Sequence, residues 1–576
     1  MMPHKTDVIL KAYNDNATQD RDVILKAYND DAGGRHLLYK SIIDVFNEKA
    51  DNFPDQEVFI HCFPDGSRRA IRYNELRYKA ENVAKFLVSS GVKVGDSVGI
   101  LGPNTIEWII GEVAILMTGA VSVHLSKPHG SFKEAFKLMK YSECKSILLD
   151  PENDNSFIDD MKSYWQDDKT KAKNTSDFLG GPGVVLLKSC VDCDLPDVET
   201  LGQDETKNDV QLPTSICPET TAIIYMTSGS TGNPKQVEHS HFGLVNTPFG
   251  FKRLQDKTRT VEVVYNDRPF SWMGGSIIPC LLHGNTHVFR EGGITVEERG
   301  VFDIWRIIVE EKCTSAFLFE ITILDLLENE AEILKNNYRL NTIITGQIIN
   351  TLVADAQVKF CNEIVTVYGS SEMNIMMANA VDYNLVIGKF GYLYEGVEVK
   401  IVDDKSKTLP REHFGEICMK SPWMLRGYRN ASTKQVQALS DGWMKTSDIG
   451  RIDIKGNLFI KGRKEDVITR FSLQIFSGEV EECIADLPEI LPADLALSDC
   501  SIHVSDAEPE QAEVLPDQAH EIQPEIEEPR SQVLLFKMKI VRIIRILLMK
   551  QLQLRKRIKQ ETQRACIAHL DNKSTS

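Results

Sequence analysis

The chain has 576 residues, 42% of them hydrophobic, which is enough for two or more domains around sizeable cores. Its 83 acidic and 66 basic side chains leave a net charge of −17, and that balance argues against nucleic acid as a partner. The 12 cysteines are scattered and suit a reducing compartment; Cys190 and Cys193 form a lone CxxC with no second pair, which points away from zinc.

Asp7–Asp15 and Asp22–Asp30 both read DVILKAYND. Two copies are too few for a solenoid, so residues 1–36 read as a flexible tail carrying a local duplication. Asp7, Asp15, Asp20 and Asp22 are acids that mitochondrial presequences avoid. No uncharged run reaches the roughly 18 apolar residues of a membrane span. A cytoplasmic location is expected, with a mitochondrial one left open.

From Leu37 the pattern is globular. Leu76, Ala80, Val83, Ala84 and Leu87 repeat at helical spacing, Gly91 suits the end of that helix, and Gly95-Asp96 suits a turn. Ser97–Leu101 and Val121–Leu125 read as buried strands around a helix over Thr105–Met117. This alternation predicts α/β layers with parallel strands, whose ligands sit at the strands' carboxyl ends. Thr221–Met226 and Ile364–Val367 are two more apolar strands, each running into a loop of Gly, Ser and Thr.

The first of those loops, Thr227-Ser228-Gly229-Ser230-Thr231-Gly232-Asn233-Pro234-Lys235, is chemically a phosphate cradle. Its glycines let backbone N–H groups approach oxyanions, its hydroxyls add donors, and Lys235 adds a mobile charge. Gln236 after Lys235 excludes a Walker loop. His239 and His241 could suggest a metal pair. Asn266 to Gly275 places aromatics beside paired glycines, which would wall an apolar tunnel or simply pack in a core. In Tyr368-Gly369-Ser370-Ser371-Glu372 an aromatic can stack on a base, a hydroxyl can donate to a phosphate, and a carboxylate can hold Mg²⁺. Gly442 to Asp448 (GWMKTSD) and Leu458–Arg463 (LFIKGR) come next. After Gly478 there is no glycine. Ser505–Pro529 is acidic and proline-rich, and Val533–Ile558 reads as a basic amphipathic helix for an anionic membrane or a partner.

The run YMTSGSTGNPKQVEHSH from Tyr225 to His241 resembles the signature of the adenylate-forming superfamily. Together with the later motifs it is most similar to medium-chain fatty acyl-CoA synthetases, over about Leu37 to Glu482. The resemblance implies an α/β fold: a large N-terminal domain of layered subdomains with a small β-barrel-like part (37–461), a hinge and the start of a small domain (462–485), and an atypical C-terminal region (486–576). It implies that Thr227, Ser228, Gly229, Ser230, Thr231, Gly232 and Lys235 hold ATP phosphates. Tyr368, Gly369 and Ser371 would hold the nucleotide, and Glu372 would hold Mg²⁺. Asp448 and Arg463 would reach the ribose, and Glu465 would be the pivot. Lys235, Ser371 and Glu372 would carry the catalysis.

The implied reaction activates a fatty acid or another small carboxylate with ATP and passes it to coenzyme A. Three departures stand out. Thr345-Gly346-Gln347 is one residue short of the family pattern. Ser472 and Ser477 replace a glycine and a proline. The family's C-terminal Gly-Lys motif, whose lysine pairs with the substrate carboxylate, has no counterpart after Gly478. The tail is then a divergent domain, a truncated isoform or an aberrant gene product. The alternatives to a CoA ligase are a catalytically impaired protein that binds ATP or acyl-adenylate, and an adenylating enzyme with another acceptor.

Overall fold

Short apolar strands alternating with amphipathic helices build two sheets with parallel centres and a third that is antiparallel. The structure, a computed structural model, describes residues 24–26, 37–125, 132–151, 156–157, 159–160, 183–189, 195–227, 234–247, 262–290, 300–346, 350–380, 389–390, 392–393, 396–431, 439–454, 456–465, 467–470 and 473–476. The chain divides into two units, 1–461 and 462–576.

Local signals set the elements near the start. The helix Tyr73–Ser89 buries Leu76, Ala80, Val83, Ala84 and Leu87 completely, and Gly91 beyond it takes a φ of +101°, which suits a residue without Cβ. The helix Ile106–Met117 begins one residue later than its pattern suggests, because Thr105 is the cap: its hydroxyl accepts from the Trp108 N–H at 3.1 Å. Every residue of that helix is buried, as are all five of the Ser97–Leu101 strand.

The seven-stranded sheet runs Gly427–Arg429, Lys235–Ser240, Thr221–Thr227, Val121–His124, Ser97–Leu101, Cys144–Leu149, Val184–Leu186. It is parallel from Thr221–Thr227 onward and antiparallel at its first two strands. The nine-stranded sheet runs Tyr392–Leu393, Asn374–Ala380, Cys361–Ser370, Leu340–Thr345, Ser315–Phe317, Val263–Asn266, Thr286–Arg290, Glu57–Cys62, Arg68–Arg72, with the six central strands parallel. Ile364–Val367 proves to be the centre of a strand of 10 residues, Cys361–Ser370.

The third sheet runs Glu398–Val402, Gly415–Lys420, Trp443–Ile452, Leu458–Arg463 and Lys389–Phe390, with its first three strands antiparallel to one another in turn and its last two antiparallel. Its outer neighbour is Ile24–Lys26, from the second DVILKAYND copy, which pairs with Glu398–Lys400. Three residues of the 1–36 segment therefore pair with this sheet. The reason is physical: an edge strand presents unpaired N–H and C=O groups, and an Ile-Leu pair suits the ladder. Among the described residues no helix is long and apolar enough to cross a membrane. Cys190, Cys193, Ser472, Ser477, Ser505–Pro529 and Val533–Ile558 lie outside the described residues.

Candidate active site

Ala222–Tyr225 is a fully buried core run, which anchors the strand Thr221–Thr227 at the centre of its sheet. The strand pairs with Lys235–Ser240, and the last register pair of that hairpin is Thr227 with Lys235. The two ends of the phosphate-cradle sequence therefore lie side by side. Ser228, Gly229, Ser230, Thr231 and Gly232 lie outside the described residues. Among the described residues the Thr227 hydroxyl is buried without a hydrogen-bond partner.

Ser371 and Glu372 are tied to the same hairpin. His239 Nε2 donates to the Ser371 carbonyl at 2.7 Å. Burial lowers the His239 pKa to about 4, so the ring is neutral at pH 7 and serves as a positioning donor. The Glu372 carbonyl accepts from Leu425 N–H at 2.7 Å, and its Oε1 accepts from the Tyr428 hydroxyl at 3.0 Å. Tyr428 is the register partner of Val237, two residues along from Lys235. Burial, and next the Glu372 charge, push the Tyr428 phenol well above its ordinary range, so it keeps its proton and donates. The second Glu372 oxygen has no hydrogen bond among the described residues, and the side chain is 9% exposed. One carboxylate with an uncommitted oxygen fits Mg²⁺, which is commonly held by one or two carboxylates plus substrate phosphates.

Tyr368 and Asp448 come together although 80 positions separate them: the phenol donates to Asp448 Oδ2. Both sit at irregular points in their ladders. The register of Cys361–Ser370 shifts between Tyr368 and Gly369. In Trp443–Ile452 the residues from Lys445 to Ile449 face only Glu416 to Cys418, which makes a bulge. The bulge is held by Thr446, whose Oγ1 accepts from the Asp448 N–H and donates to the Ile417 carbonyl, each at 3.0 Å. It also puts Ser447 at φ +63°, the left-handed region where a glycine is unstrained. Ser447→Gly is therefore expected to stabilise the protein by about 0.5–1 kcal/mol in urea denaturation, with nucleotide affinity unchanged.

These motifs border one cavity of about 1060 Å³, lined at one end by Thr227, Pro234, Gly369, Ser370 and Ser371. The segment read as a tunnel wall lines it too, through Asn266, Arg268, Ser271, Trp272, Met273 and Gly274. The turn in that segment needs glycine at 275, where a Cβ would lie 2.0 Å from the Pro269 carbonyl oxygen. Lys235, Tyr368, Glu372 and Asp448 stand behind this lining, in the contacts given above. Arg463 ends the strand Leu458–Arg463 and Glu465 follows it, both exposed; they belong to the unit 462–576.

Several contacts at the cavity or behind its lining were not assigned from sequence. Arg268 Nη2 donates to the Leu318 carbonyl at 3.1 Å, its Nη1 meets Asp267 Oδ1 at 3.3 Å, and its guanidinium lies 3.8 Å over the Phe317 ring. Burial raises the Asp267 carboxyl to about 6, against the pull of Arg268. His124, at the end of a parallel strand, lies 2.9 Å from Glu112 Oε1, with both side chains sealed from solvent. A histidine at a strand's carboxyl end was a legible signal. Tyr428 offered none.

The sequence pattern of the family described as AMP-binding enzyme matches residues 46–429. The mitochondrial medium-chain acyl-CoA ligase ACSF2 of Rattus norvegicus is 24% identical over 496 residues, covering 80% of this chain and 77% of the relative. The medium-chain fatty-acid–CoA ligase of Escherichia coli (strain K12) is 26% identical over 489 residues, covering 81% and 79%. Among solved structures, the anthranilate CoA ligase AuaEII in complex with anthranoyl-AMP superposes with a TM-score of 0.66 at 18% identity, covering 79% of this chain and 84% of that one.

Proposed function

Because the chain belongs to the AMP-binding enzyme family, within the adenylate-forming superfamily, we propose that it activates a medium-chain fatty acid or similar carboxylate as acyl-AMP and passes the acyl group to coenzyme A. The observation that carries this reading is the single cavity bordered by both the Thr227–Lys235 hairpin and the Tyr368 to Glu372 segment.

In the first half-reaction a carboxylate oxygen attacks the α-phosphorus of ATP. The bond from phosphorus to the bridging oxygen breaks, and its electron pair leaves with pyrophosphate. The protein's part is positioning and charge neutralisation. Lys235 brings positive charge to the leaving phosphates, and residues 227–232 offer N–H and hydroxyl donors. Ser371 donates at the α-phosphate. Tyr368 borders the base, and Asp448 accepts from the ribose hydroxyls. Glu372 would hold Mg²⁺, which neutralises charge on the phosphates. In the second half-reaction the CoA sulfur attacks the acyl carbonyl and AMP leaves, after the small domain pivots at Glu465.

A second reading, a protein that binds nucleotide or acyl-adenylate without full turnover, is favoured by one feature. No glycine, and so no Gly-Lys pair, follows Gly478. ATP–pyrophosphate exchange with a panel of straight-chain acids, followed by thioester formation with and without CoA, separates the two. Acid-dependent exchange and CoA-dependent thioester are the expected results. ATP binding with no exchange for any acid would replace the first reading by the second. Exchange without thioester would move the acceptor away from CoA.

A further inference from the structure

Strand register puts two different rows on opposite faces of the nine-stranded sheet. One row runs Ile60, Val288, Tyr265, Ala316, Ile343 and Ile364, at most 3% exposed and all in one hydrophobic cluster. One residue out of phase, the other row runs His287, Val264, Ser315 and Thr342, and it lines the cavity. Parallel strands covered on both faces are ordinarily apolar on both. Here the hydroxyl and imidazole side chains of His287, Ser315 and Thr342 gather on the cavity face, while the opposite row carries one polar atom, the Tyr265 phenol oxygen. Asn266, in the next row, adds an amide; Glu262 and Asn285, just before the amino ends of two of these strands, line the cavity farther on. Thr342 lies four residues before Gly346, which lines the cavity just past the carboxyl end of the same strand, so the polar row is about 13 Å down the sheet from that end at ~3.3 Å per residue.

Resting on the acyl-adenylate reading above, we propose that the acid activated here carries a hydroxyl on the part remote from its carboxylate, received by Ser315, Thr342 and Asn285. Neutral hydroxyl and amide groups both donate and accept, which matches a hydroxyl, while Glu262 repels a second carboxylate. A plain alkyl chain would strip these groups of water and return no hydrogen bond. His287 fits the same picture: among the described residues neither ring nitrogen has a partner, and its ring lies 5.5–6.0 Å from those of Phe59, Phe270 and Phe289.

The test compares hexanoate through dodecanoate with their ω-hydroxy counterparts in ATP–pyrophosphate exchange, using the full chain. At the best length, the hydroxy acid is expected to exceed the plain acid by about tenfold or more in kcat/KM. The nearly isosteric Ser315→Ala/Thr342→Val double variant should lose that preference at an unchanged melting temperature. Equal or better use of plain acids by the wild-type protein overturns the inference while leaving the acyl-adenylate reading intact. An unchanged preference in the double variant overturns the assignment to these residues. If no acid supports exchange, the acyl-adenylate reading fails instead. Calorimetry with the same acid pairs then decides the inference: tighter binding of the hydroxy acids supports it and equal binding overturns it.

Discussion

Glu372→Gln is expected to lower acid-dependent ATP–pyrophosphate exchange by about 10²–10³-fold, the usual loss when one preorganised electrostatic group is removed. Glutamine keeps an oxygen for the Tyr428 hydroxyl, now 3.0 Å from Glu372 Oε1, so the fold should survive. The variant should bind ATP with normal affinity in chelator and weakly in excess Mg²⁺. A merely structural carboxylate would not produce that split. Lys235→Ala should cost a similar factor, but with ATP affinity reduced whether or not magnesium is present. Wild-type exchange in both variants would remove the site from consideration.

The second large effect is acid lability. Burial holds His61, His239 and His241 near pKa 4 and His287 near 3, against an ordinary 6.5. Between pH 6.5 and about 4 the unfolded chain binds protons at these rings and the folded chain does not. Their contribution to stability is therefore complete above pH 6.5 and is lost as pH falls toward 4. Asp267 works in the opposite sense. Its folded carboxyl titrates near 6 rather than 3.8, so folding takes up a proton there and stability rises as pH drops below 6. Each group counts for about 1.4 kcal/mol per pH unit within its window, so the histidines prevail. Urea midpoints should fall markedly between pH 7 and pH 5 at constant m-value. His287→Phe, which keeps an aromatic ring among Phe59, Phe270 and Phe289, should shallow the slope. A flat profile over that interval would contradict the assignment.

Much of the architecture was readable because its signals are local. A buried run such as Ser97–Leu101, a helical repeat such as Leu76 to Leu87, and a glycine- and hydroxyl-rich string after an apolar strand each declare themselves within a few residues. What escaped reading depends on which strand lies beside which. The tie from His239 to Ser371 joins residues 132 positions apart, and the one from Tyr428 to Glu372 spans 56. No periodicity encodes such pairings. His239 was legible as a histidine in a suggestive place; that it would be a neutral donor to a carbonyl required its neighbours. The polar row across the nine-stranded sheet was hidden for the same reason. Ser315 and Thr342 look like ordinary strand residues until register sets them on one face.

The bulge beneath Asp448 also constrains length changes. Burial alternates without a break from Trp443 to Ile452, so Met444, Thr446, Asp448, Gly450 and Ile452 all point inward. That is an even-number rule: the bulge adds two residues, which preserves parity along a strand whose side chains repeat every second position. Deleting one residue at 446 or 447 would turn everything on one side of the deletion inside out. It would exchange Met444 for its half-buried neighbours Trp443 and Lys445 or send Asp448 outward. Removing both would keep the same faces. In this strand evolution has room to lengthen or shorten only in pairs.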